Sequence, residues 1–242
     1  MSLKKMALQS AQVVLSLFPL TLRRLLFSYL YNKDWFLLKS SENVFTEIYQ
    51  TNLWESDESR SGGGSTMMAT KVIRSQLPEI IRDYSVKSML DIPCGDYNWM
   101  KTVDKGCEYI GADVVEELIE SNKALYSSEK VQFRHLNLIH DDLPKVDLIF
   151  CRDCLQHLSY SDVMNAVNNI KRSGSSYLLV TSYHRTKKNH DIHSGDYRAL
   201  NLLIPPFRFP KPLSVIEEKP KEHNTEIDKT MYLFACDSLP AF

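Results

Sequence analysis

The stretch Ser88-Met89-Leu90-Asp91-Ile92-Pro93-Cys94-Gly95-Asp96 decides the fold. It starts as a short apolar run and breaks into a polar turn at an acidic residue, a proline and a glycine. An apolar run without polar alternation is what a strand buried on both faces needs, and such strands belong to parallel sheets covered by helices. The same shape recurs downstream: 109–113 is a second run ending on a carboxylate, 131–135 a third, 146–151 a fourth and 176–181 a fifth. Helical spacing intervenes. Val115, Leu118, Ile119 and Leu125 fall on one face of 114–126, and Val163, Ala166, Val167 and Ile170 on one face of 160–172. Upstream, Met67, Met68, Val72, Ile73 and Leu77 share that spacing, with Ser65 or Thr66 as the expected cap and Pro78 opening a further turn. The stretch between the first two strands has room for one short helix. Strands alternating with helices give right-handed crossovers and a doubly wound, mostly parallel α/β sheet. The last two runs, 213–217 and 229–236, have no convincing helix between them. They are expected as an antiparallel hairpin at a sheet edge, which brings the sheet to seven strands.

The 242 residues suit one domain, 41–242, plus a helical extension at 1–40. A hydrophobic share of 43% and a charged share of 24% are ordinary for a soluble globular chain, and a net charge of −1 offers no basic field for nucleic acid. Five cysteines, an odd number, point to reduced thiols in a reducing, cytoplasmic setting. Cys151-Arg152-Asp153-Cys154 lacks the second ligand pair of a structural zinc site, so its cysteines are read as buried at a strand end. In the extension, Lys4 and Lys5 precede a mostly apolar stretch that Pro19, Arg23 and Arg24 interrupt. It is short of the roughly 20 apolar residues of a membrane span. It has no clear cleavage site. Helices covering the core are one reading, and peripheral membrane contact through an interfacial helix or signal anchor is the other. Composition says nothing of the oligomeric state.

Ligands of open α/β sheets sit beyond the C-terminal ends of the strands, where strand order reverses. Chemistry is therefore sought just after each run. Asp91 can hold the charged amino-acid portion of a cofactor, and Gly95 permits close backbone approach. The turn has one glycine where a dinucleotide fingerprint has three, which argues against nicotinamide and flavin cofactors. Asp113 stands at the offset, about twenty residues on, expected of a carboxylate gripping two ribose hydroxyls. Asn137 can read an adenine edge or cap a turn. After the fourth run, Arg152 and Asp153 fall at the site mouth, and His157 lies four residues beyond Asp153, on the same face if that segment is helical. An imidazole suits a general base for a hydroxyl nucleophile. The long polar loop 183–198 carries His184, His190 and His193 and is read as substrate-binding. Asp191 and His193 with Asp153 and His157 are the alternative, a divalent-metal site; spacing fixes no ligand set, so no metal is assigned.

Together 89–96, 110–113, 135–138 and 147–151 resemble the ordered motifs of class I S-adenosylmethionine-dependent methyltransferases, a likeness running from Val44 to Cys236. Trp54, the 59–65 loop, Cys151-Arg152-Asp153-Cys154 and Asn201-Leu202-Leu203 further resemble a subgroup associated with glycan and surface-polysaccharide synthesis, near a chlorovirus glycan-building domain. The resemblance implies S-adenosyl-L-methionine as cofactor. Asp91 and Gly95 would line its methionine part, Asp113 its ribose, and Asn137 and Leu138 its adenine. Arg60 and Ser65 would come from an N-terminal segment folding over the site, with Trp54 and Arg152 also among the cofactor contacts. Pro93 and Cys94 depart from the pattern by occupying glycine-type positions. The implied reaction is methyl transfer to an acceptor hydroxyl on a sugar or glycan. His157 is the expected base with His193 or His184 as rival, and Asp153 orients the base or the sugar. Another small molecule, a protein side chain, or a subunit that binds without catalysis are the alternatives.

Overall fold

Alternation along the strands builds two apolar layers. The computed structural model describes residues 40–218 and 228–242, so the expected helical extension and its membrane reading lie outside the described residues, apart from Ser40. In β1 (Ser88–Asp91) Met89 faces one layer and Leu90 the other, and β4 (Leu148–Cys151) does the same with Phe150 and Ile149. This is the period of two that a strand imposes on its side chains. On the Met89 side pack α2 (Lys71–Asp83) and α3 (Glu116–Tyr126), through Ile73, Leu77, Leu118 and Ile119. On the Leu90 side packs α4 (Tyr160–Arg172), through Val163, Ala166, Val167 and Ile170. These are the apolar positions that the helical spacing picks out.

With β2 (Glu108–Asp113), β3 (Val131–His135), β5 (Tyr177–Tyr183), β6 (Ser214–Glu217) and β7 (Lys229–Ala235), the sheet has seven strands in the order β3-β2-β1-β4-β5-β7-β6. Strands β1 to β5 pair in parallel, while β7 runs antiparallel to both β5 and β6. The expected final hairpin is present, with β7 inserted between β5 and the edge strand β6. Chain order reverses between β1 and β4, so a crevice opens beyond the C-terminal ends of those two strands. No helix among the described residues is long and apolar enough to cross a membrane.

Three local expectations differ from the structure. Helix α2 starts after Thr70, not at Ser65 or Thr66, because Thr66 Oγ1 accepts from Ala69 N at 3.1 Å and closes a separate turn first. Pro78 sits inside α2 and does not open a new turn. A helix that the sequence reading did not contain, α1 (Ser41–Thr51), is capped by Ser40 Oγ, which accepts from Asn43 N, and ends at Asn52 in the left-handed region. Between β1 and β2 there is only a 3-10 turn, Met100–Thr102.

Candidate active site

The floor of the crevice is acidic. Asp91, 2% exposed, accepts a 2.6 Å hydrogen bond from the Tyr109 hydroxyl, and burial pushes its carboxyl up to about 7. Asp113 ends the neighbouring strand, is buried, and accepts from Gly95 N and Val115 N, each at 3.1 Å. Burial raises its carboxyl too, and those two amides oppose the shift. Both side chains line one cavity, together with residues of the 60–65 segment and the end of β4.

The turn after β1 is built differently from a glycine cradle. Gly95 has φ +56°, and a Cβ there would lie 2.2 Å from Ser61 Oγ, so the glycine makes room for another chain segment. Cys94 is buried, which raises its thiol well above the ordinary value. Asn122 of α3 donates Nδ2 to the Gly95 carbonyl at 2.8 Å. Asn122 and Asp113 thus hold in place a turn that carries Pro93 and Cys94 at glycine-type positions.

Residues 58–65 form a strap across the crevice. Asp96 anchors it: Oδ1 accepts from Ser59 Oγ at 3.0 Å, Oδ2 accepts from Arg60 N at 2.8 Å, and Asp96 N donates to Ser61 Oγ at 3.0 Å. Asn98 Nδ2 adds bonds to Glu58 Oε1 at 3.0 Å and to the Ser65 carbonyl at 3.3 Å. Arg60, Ser61 and Ser65 thereby enter the cavity lining, as does Trp54. Helix α1 contributes Phe45 and Tyr49, whose hydroxyl is raised by burial and then by Glu117. The sequence reading missed Tyr49, Asp96, Asn98 and Asn122. At the third strand, Asn137 Oδ1 accepts from Ile139 N at 2.9 Å, so of the two uses left open the turn is made. The residue still lines the cavity beside Leu136, Leu138 and Ile139.

The end of β4 holds a charged cluster. Arg152 grips Glu218, from Nε to Oε1 at 3.0 Å and from Nη2 to Oε2 at 2.7 Å, and Nη1 donates to the Gly64 carbonyl at 3.0 Å. Its guanidinium also lies 5.5 Å from the Trp99 ring centroid. Expected as a cofactor contact, Arg152 reaches the lining mainly as a brace, because all three of its nitrogens have protein partners. Asp153 has φ +53° and pairs with Arg152 at 3.1 Å and with Lys229. Burial alone would raise its carboxyl, but those two cations carry it well below the ordinary value. Gln156 Nε2 also donates to Asp153, at 2.9 Å.

His157 lies in a 3-10 turn, Leu155–His157, and its Nδ1 is bonded to the Asp196 carbonyl at 2.9 Å. The reading that Asp153 orients this base through a helical turn is therefore corrected: the ring is held by a main-chain oxygen. Because a carbonyl only accepts, Nδ1 carries the proton and Nε2 has the lone pair. Burial lowers the imidazole from 6.5, opposed by the Asp196 bond and the Asp153 charge. The ring packs between Trp54 and Tyr197, with centroids 5.3 and 5.6 Å away. His184 and His193, the rival bases, are exposed and outside the cavity lining. The alternative metal set does not assemble either: no group of three or more metal-binding side chains converges among the described residues. Loop 184–213 is tied down, with Asn189 and Asn201 in reciprocal bonds at 2.8 and 2.9 Å.

Residues 90–176 match a family model described as a methyltransferase domain. No curated protein matches by sequence. Among solved structures, the chain is similar to 1,6-didemethyltoxoflavin-N1-methyltransferase of Burkholderia thailandensis, solved with S-adenosylhomocysteine: 12% identity, TM-score 0.57, 80% of this chain and 86% of that one. It is similar to the N-methyltransferase NodS of Bradyrhizobium japonicum, also with S-adenosylhomocysteine: 12% identity, TM-score 0.56, 78% and 97%. Of human N-acetylserotonin methyltransferase, solved with S-adenosylmethionine, the chain spans 42%, with 60% of its own length, 19% identity and a TM-score of 0.45.

Proposed function

We propose, from the premise that this chain is an S-adenosylmethionine-dependent methyltransferase, that it methylates a hydroxyl group of a sugar or glycan. The observation that carries the hydroxyl reading is His157. A neutral imidazole, its Nδ1 proton spent on the Asp196 carbonyl, borders the same cavity as Asp91 and Asp113. A hydroxyl needs such a base, whereas a free amine can attack through its own lone pair.

The donor set fits the cofactor. Each Asp113 oxygen takes one backbone N–H and keeps a lone pair for a ribose hydroxyl. Asp91 would balance the cationic amino-acid end beside Gly95. Asn137 and Leu138 would flank adenine in the apolar slot closed by Leu118 and Ile139. Arg60, Ser65 and Trp54 would form the roof, and Arg152 would brace the wall. Bound S-adenosylmethionine supplies an electrophilic methyl carbon on a sulfonium, which departs as a neutral thioether. His157 Nε2 would take the proton of the acceptor hydroxyl. Asp153, whose side chain is 22% exposed, is left to hold acceptor hydroxyls. Trp54 and Tyr197, 37% and 49% exposed on either side of His157, offer flat apolar faces against which the C–H face of a pyranose can lie.

The test is product mass spectrometry with S-adenosylmethionine and two panels, methyl glycosides and primary amines. A glycoside one methyl heavier supports the reading; methylation confined to the amines overturns it.

A further inference from the structure

Three consecutive carbonyls around the base are captured by one loop segment. Arg198 N donates to the Gln156 carbonyl at 3.1 Å, Gly195 N to the His157 carbonyl at 2.8 Å, and Arg198 Nη1 to the Leu158 carbonyl at 2.6 Å. The fourth bond is the one from His157 Nδ1 to the Asp196 carbonyl. Residues 195–198 therefore fix both the main chain and the ring of the turn that bears His157.

Arg198 is an expensive residue to use this way. It is 2% exposed, its Nε and Nη2 have no hydrogen-bond partner, and no carboxylate pairs with it among the described residues. Its guanidinium rests 5.3 Å from the Tyr160 ring centroid. Burying an arginine with two nitrogens unsatisfied is costly, and an exception of that kind calls for a reason. A leucine or methionine would fill the space at lower cost but would leave the Leu158 carbonyl without its donor.

We propose that Arg198 is the positioning residue of the site: its Nη1, bonded to the Leu158 carbonyl at 2.6 Å and to the Gln156 carbonyl at 3.5 Å, locks the Leu155–His157 turn so that the imidazole faces the cavity. Its charge, which Asp191 acts to favour, has a second effect. The charged groups acting on His157 are Asp153, which favours the imidazolium, and Lys229 and Arg198, which disfavour it; Trp54 and Tyr197 pack on the ring without charge. Arg198 thus helps to keep the base unprotonated. The catalytic consequence rests on His157 being the base, but the positioning itself does not.

The experiment compares Arg198→Gln and Arg198→Lys with the parent enzyme. The His157 imidazole titration is followed by NMR without ligand. The pH dependence of kcat/KM and the affinity for S-adenosylhomocysteine are measured alongside. In Arg198→Gln the His157 titration moves upward and the acid limb of kcat/KM moves with it. In Arg198→Lys the charge is kept, so the titration stays near the parent's. Both variants lose turnover by about tenfold to a hundredfold, the cost of a misplaced catalytic group, while product affinity stays within about twofold. Unmoved titration in Arg198→Gln together with full turnover in Arg198→Lys overturns the proposal. A titration that moves in Arg198→Gln, with His157→Ala still fully active, keeps the positioning role and removes the base. An inactive His157→Ala beside unaffected Arg198 variants keeps the base and removes the positioning role. If the Gln variant does not fold, Arg198→Lys decides: full turnover there overturns the proposal.

Discussion

Asp91 is an acid poised to change charge when a cation arrives. Burial lifts it to about 7, so in the free enzyme near neutrality it is partly protonated. A cationic ligand end lowers that value by favouring the carboxylate. Binding of S-adenosylmethionine near pH 7 should then release up to about half a proton. Calorimetry in two buffers of different ionisation heat measures this. Affinity should fall as pH drops below 7, where Asp91 gains its proton, and Asp91→Asn should bind weakly with neither effect. For His157 the shift runs the other way: its base form is likewise lost on acidification, but burial places that loss below the usual 6.5. His157→Ala should lower kcat by about 10²- to 10⁴-fold, with affinity for S-adenosylhomocysteine by calorimetry little changed. Asp91 and Asp113 were legible in the sequence because each ends an apolar run. Asp96, Asn98 and Asn122 were not, since their partners lie 27 to 40 residues away and no periodicity reports such pairings. Asp153 and His157 were read on one helical face, but Asp153 has φ +53° and a 3-10 turn follows it.

Among elements, the strap depends on one carboxylate. Asp96→Ala removes the acceptor for Ser59 Oγ and Arg60 N. Losing bonds to a charged acceptor, worth roughly 1–3 kcal/mol, should weaken S-adenosylhomocysteine binding by roughly tenfold to a hundredfold. Trypsin should then cut faster after Arg60. Gly95→Ala sets a methyl against Ser61 Oγ at a strained φ, and should loosen the same strap and lower the thermal unfolding midpoint by roughly a few degrees. Strands and the long helices were legible because apolar runs and helical stripes are strong signals. Helix α1 was not: it buries Val44 and Ile48 alone, one i, i+4 pair, too short a stripe to register as a period. Thr66 misled for a related reason, being a good cap that serves a turn one step before the helix.

At the scale of the molecule, the Arg152–Glu218 pair bridges the parallel half of the sheet and its antiparallel edge. Both side chains are 4% exposed. Glu218→Ala removes the charge-assisted bonds of a buried guanidinium, which keeps Asp153 and the Gly64 carbonyl, and should cost about 1.5–3 kcal/mol in denaturant unfolding. Arg152 also holds the Gly64 carbonyl, and a Cβ at Gly64 would lie 2.9 Å from Asp153 Oδ2. One cation is therefore shared by the roof of the crevice and the far hairpin. On the proposed function, exchange of spent for fresh methyl donor should then couple two regions over a hundred residues apart in the chain. Amide protons of the 59–65 segment and of β6 should slow in concert when the demethylated product is added, and that shared timing would be erased in Glu218→Ala.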